Sequence, residues 1–103
     1  MPNPAPLVGG FNTVSVTDQG VIAAADAAIT AEQQALTKAE DRPISIELVS
    51  IDQARAQVVA GMNYQLSLTV IIDGTTKKAY ATIYRNLAQP PVYALNEWIW
   101  PPK

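Results

Sequence analysis

The apolar residues of this chain change their spacing at Pro43, and that change divides the fold. Before it, Ile22, Ala25, Ile29 and Leu36 recur at helical spacing, with Ala28 and Ala35 beside them. After it, Ile44, Ile46 and Leu48 alternate with Ser45 and Glu47, the period of a strand with one buried face. The spacing predicts a helix over 18–40. Asp18, or Thr17 before it, can cap its N-terminus. Alanine is dense between Ala23 and Ala35, which favours helix and lets a sheet approach closely. Asp26, Glu32, Gln33, Gln34 and Lys38 supply the wet side. Gly20, in the first turn, is the weak point of this helix.

Beyond Pro43 the chain reads as strands joined by short turns. The first runs from Ile44 toward Ala56, and its phase slips between Leu48 and Ile51, so a bulge is expected there. Tyr64, Leu66, Leu68, Val70 and Ile72 alternate along the next, and Asp73-Gly74 is a two-residue hairpin signal. Lys78 to Arg85 returns, with Ala79, Ala81 and Ile83 on one face and Tyr80, Thr82 and Tyr84 on the other. The stretch "NLAQPP" must turn, because consecutive prolines cannot sit inside a ladder. Val92 to Trp100 is the last strand. Phe11, Val14 and Val16 begin a short strand ahead of the helix, and the proline-rich residues 1–10 read as a mobile arm ending at Gly9-Gly10. The expected class is α+β, a single domain over 1–103 with one helix packed across a curved antiparallel sheet of four to five strands.

Composition removes several functions. The chain has neither Cys nor His, so it offers no disulfide, thiol nucleophile or imidazole base. Its carboxylates are scattered and none pairs in an evident site, so an enzyme is not expected, nor is a cofactor or metal. A net charge of -2 without a basic stripe argues against nucleic acid. No apolar run is long enough for a membrane span, and no leader pattern opens the chain. The compartment stays open: cytoplasmic if the chain is complete, extracellular if a signal peptide has been removed.

One stretch fits a hairpin tip poorly. Gln57-Val58-Val59-Ala60-Gly61 joins two strands, yet it holds two β-branched residues where a tip is exposed. Exposed apolar groups of this kind point to a covering partner. In a meander, turns alternate between the two ends of the sheet. That places this tip beside "NLAQPP" and opposite Asp73-Gly74, with the arm reaching the same end. The three pieces form a wedge with an apolar edge. Val59 is expected to be strained in so tight a tip, and straightening the tip would let two chains exchange their helix and flanking strands as a swapped dimer.

On these residues the chain resembles the cystatins, inhibitors of papain-like cysteine proteases. "QVVAG" is similar to that family's hairpin motif, and "LVGG" at 7–10 looks like its N-terminal trunk. The order of elements matches over nearly the whole chain. The absence of disulfides and the length are most like the stefin branch, with plant cystatins next. The resemblance implies a reversible, tight-binding monomer that blocks the protease cleft. Leu7 and Val8 would enter substrate pockets, and Gly9 followed by Gly10 would pass the thiol without a side chain. Gln57, Val58, Val59, Ala60 and Gly61 would press on the leaving-group side. The second hairpin departs from the family's Pro-Trp. It offers Leu87, Ala88, Gln89 and Pro90, with Ala88 where stefins carry proline. Trp98 and Trp100 fall too late and read as last-strand packing. A second class stays open: a cystatin-fold binding module, or an engineered scaffold, with a partner that is not a protease.

Overall fold

The computed structural model describes residues 10–101. Strand β1 (Asn12–Val14) leads into helix α1 (Gln19–Glu40), and four long strands follow: β2 (Ile46–Val59), β3 (Gly61–Ile72), β4 (Thr75–Arg85) and β5 (Tyr93–Ile99). All pairings are antiparallel, and the sheet order is the chain order, so the meander is as expected. Asp73 (φ 48) and Gly74 (φ 83) form the two-residue turn between β3 and β4, both left-handed as that turn requires. The expected bulge in β2 is present between Leu48 and Ser50; a second follows between Ile51 and Gln53.

Asp18 is the helix cap, its carboxylate accepting from the Val21 N–H at 3.2 Å. The buried stripe differs from the expected one by a residue. Val21, Ala24, Ala25 and Ala28 are buried, whereas Ile22 is 42% exposed and Ala35 lies in solvent. Gly20 accounts for the rotation. A Cβ there would stand 2.5 Å from the Tyr64 hydroxyl, so its absence lets the helix settle on Tyr64 and aims Val21 at the sheet. Glu32 and Gln33, expected on the wet side, are half-buried instead. The Gln33 Oε1 accepts from the Ile46 N–H at 2.8 Å, and the Thr37 hydroxyl accepts from the Ile44 N–H at 3.0 Å, stitching the helix to the start of β2. Burial holds the Glu32 carboxyl above its ordinary range.

The core lies between α1 and one sheet face. Leu68, Ile83, Val21 and Val70 are its largest fully buried side chains, each worth about 1.5–3 kcal/mol on burial. Trp98 on β5 and Trp100 just beyond its end pack against the edge of the core, with ring centroids 5.3 Å apart. The other sheet face is polar. At the second bulge Asp52 accepts from Ser50, Thr69 and Lys78, bonds that lower its carboxyl below the usual Asp range.

The Gly20 contact gives a testable sign. Gly20→Ala raises helix propensity by about 1 kcal/mol, but it forces a methyl onto a buried ring, which typically costs about 1–3 kcal/mol. Tyr64 is only 3% exposed and has no free side to swing toward. The melting temperature in thermal denaturation should therefore fall by a few degrees. A rise would mean that Tyr64 yields.

Candidate functional site

The hairpin tip is tighter than a five-residue loop. Val58 pairs with Met62 and Val59 with Gly61, which leaves Ala60 alone between the strands. Gln57, Val58 and Val59 are thus the end of β2, and Gly61 is the start of β3. The expected strain at Val59 is not found: the left-handed φ of this turn, 112°, falls on Gly61. Glycine absorbs the turn, and Val59 remains in the ladder at no steric cost.

Side chains on one face hold the tip in place. The Asn63 amide donates to the Gln57 Oε1 at 3.0 Å, directly across the hairpin. Gln57 therefore helps to brace the hairpin that it was expected only to present. Above this pair the Tyr84 hydroxyl donates to the Ala60 carbonyl. Gly61 makes room for it: a Cβ there would stand 2.8 Å from the Tyr84 hydroxyl and 2.2 Å from the Arg85 carbonyl oxygen. Neither Asn63 nor Tyr84 stood out in the sequence. The alternation put Tyr84 on the polar face, but nothing in the spacing reported that its ring reaches the tip.

The second loop lies beside the first, because Met62 pairs with Arg85. Asn86 shapes it. Its Oδ1 accepts from the Ala88 N–H at 3.1 Å and the Val92 N–H at 2.9 Å, while its own N–H donates to the Val92 carbonyl at 3.0 Å. This Asx-type clamp satisfies backbone groups that two prolines leave without a ladder. The Gln89-Pro90 peptide is cis. Leu87, Ala88, Gln89 and Pro90 all lie in solvent, and Arg85, Asn86 and Leu87 help line a small hollow of about 150 Å³ beneath the loop.

The third piece enters at the same end. Asn12 pairs with Ala56, so the chain before β1 runs toward the tip. The Phe11 ring lies 5.9 Å from the Arg55 guanidinium carbon, a cation–π contact that anchors the entry. Gly10 is exposed, and a Cβ on it would touch nothing within 4 Å. Leu7, Val8 and Gly9 lie outside the described residues. The tip and the second loop are therefore brought together as expected, with the entry of the arm beside them.

This end is apolar and wet. Val58 is 68% exposed, Leu87 71% and Val92 57%, among the most exposed large apolar residues described. Val58 continues the row of Ala54 and Ala56, which are buried, so its exposure comes from the hairpin outrunning its cover. Among the described residues no cluster of acidic side chains could hold a metal, and no helix is long and apolar enough to cross a membrane.

No family model and no curated protein matches this sequence. Solved structures do match in shape. One is a salivary cystatin from the soft tick Ornithodoros moubata, with a TM-score of 0.66 at 19% identity, covering 90% of this chain and 97% of that one. Another is Al-CPI, with a TM-score of 0.58 at 22% identity, covering 90% of this chain and 100% of its own. With one helix on a five-stranded antiparallel sheet in the same arrangement, this chain has the cystatin fold.

Proposed function

We propose that this protein is a reversible, tight-binding inhibitor of papain-like cysteine proteases. The observation that carries the reading is the pair of exposed apolar knobs, Val58 and Leu87, on two adjacent braced loops. A cleft that covers them gains apolar burial, and rigid loops lose little freedom on docking. The resemblance to a cystatin supports the choice of partner, and the cysteine-free chain supports a stefin-type variant of it. In this reading Gln57 to Gly61 and Leu87 to Pro90 cover the leaving-group side of the cleft. Leu7 and Val8 fill substrate pockets, and Gly9 passes the thiol without presenting a peptide bond for attack. The monomer is the active form, since a dimer swapped at Ala60 would unfold the tip that docks.

The test is a titration of papain with the folded protein, following residual activity beside a Gly9→Glu variant. Tight reversible inhibition by the parent, weakened about 100-fold or more in the variant, is the expected result for a desolvated contact at the thiol. A folded, monomeric parent that leaves papain fully active would defeat the reading and favour a partner that is not a protease.

A further inference from the structure

We infer that Tyr84 is a positioning residue for the inhibitory edge, its hydroxyl holding the Ala60 carbonyl so that the tip is kept ready to dock; this rests on the protease reading above. A turn of one residue leaves the Ala60 carbonyl outside the β2–β3 ladder. The Ala60–Gly61 peptide turns as one plane, so rotation of this carbonyl also turns the Gly61 N–H at the edge that the partner meets. Tyr84 closes that freedom from a third strand. It stands on β4, pairs with Asn63, and donates to Ala60 across the space that Gly61 leaves empty. The Asn63–Gln57 bond fixes the strands just below. Arg85 and Asn86 follow Tyr84 directly, so the residue that holds the first loop stands two residues before the clamp of the second. The absence of a side chain at Gly61 thus serves two ends, the turn and the seat of this ring.

The consequence is kinetic. If only a fraction of the free protein holds the tip ready, the apparent dissociation constant rises as the inverse of that fraction. Loss of the hydroxyl lowers the ready fraction in the free protein. It leaves the complex unchanged, where the protease itself holds the tip. The loss should therefore appear in kon and spare koff, unlike most contact losses, which appear in koff. One hydrogen bond of ordinary strength sets the size at about 3- to 10-fold.

The experiment compares the parent with Tyr84→Phe, which keeps the ring and its packing. Papain progress curves give kon and koff separately. Carbonyl carbon shifts and amide exchange of Val59, Ala60 and Gly61 report the hydrogen bond in the free protein. The expected result is a kon lower by about 3- to 10-fold, an unchanged koff, a shifted Ala60 carbonyl resonance and faster exchange at the tip. An unchanged kon beside an inhibiting parent overturns the inference, and so does a loss confined to koff, which would make the hydroxyl a contact. If the parent does not inhibit papain, the protease reading fails separately. The free-protein signals then decide: an Ala60 carbonyl and tip exchange unmoved by Tyr84→Phe overturn the inference, and moved signals sustain the lock as a feature of the edge itself.

Discussion

Gly61→Ala should destabilise the fold by about 2–4 kcal/mol and abolish tight inhibition together. Two independent costs meet at this position. The φ of 112° is one that side chains rarely adopt. A Cβ would also lie 2.2 Å from the Arg85 carbonyl oxygen, a backbone atom fixed in the β3–β4 pairing. Because neither obstacle can swing aside, the methyl must push β3 away from β4 or reverse the turn. Either movement breaks the Tyr84 bond to Ala60 and separates the two loops. Urea denaturation should show a lower midpoint at similar slope, and papain titration of the folded variant should show affinity down by roughly 100-fold. Retained affinity at lowered stability would show that docking rebuilds the edge. Unchanged stability would show that the turn has an alternative geometry.

The contrast between Gly61 and Val59 shows which parts of the site could be read in advance. Period and turn chemistry are local, so the sheet order, the Asp73-Gly74 turn, the Asp18 cap and the first bulge all followed from short windows. The tip motif was legible as a place, but the residue that bears its conformation was not. Strain was expected at a β-branched residue, and the chain put the unusual φ on its neighbouring glycine. The same limit applied to the helix. Ile22 has the larger apolar side chain, yet Val21 faces the core, because a contact with Tyr64, far along the sequence, sets the rotation. Gln33 looked like a solvent-facing residue and instead satisfies an edge N–H of β2. In each case the deciding partner comes from another element, and helical or strand periodicity carries no information about it.

Tyr84 and Asn86 belong to the same class. A tyrosine on the polar face of a strand is ordinary, and an asparagine at a strand end is an ordinary turn residue. Their roles arise only when the β3–β4 register sets Met62 against Arg85 and brings the loops together. The second loop, whose Leu87 to Pro90 the resemblance would place against the protease, carries Ala88 where stefins have proline. Its clamp by Asn86 supplies, through two hydrogen bonds, the rigidity that a ring would give through a fixed φ. That makes Leu87 a defined projection even without the family residue.

Val58→Asp separates binding from folding most cleanly. Val58 is 68% exposed at the end of β2, so its replacement removes little core contact and should cost the fold no more than about 1 kcal/mol, mostly through strand propensity. In a closed cleft the same change loses the transfer gain of a buried valine, about 1.5–3 kcal/mol. It also carries in a carboxylate without a partner, and an uncompensated buried charge commonly costs about 3–5 kcal/mol. Affinity for papain should therefore fall by roughly 1000-fold or more, with the melting temperature nearly unchanged. Val49→Asp is the matched control. Val49 is similarly exposed, at 54%, on the same strand, but it lies by the first bulge toward the Asp73 end. Inhibition should survive there. If both variants lose inhibition alike, added charge rather than the tip is responsible. If both retain it, the exposed row that ends β2 is not where the protease sits, and the reason for holding Val58 in water must be sought in another partner.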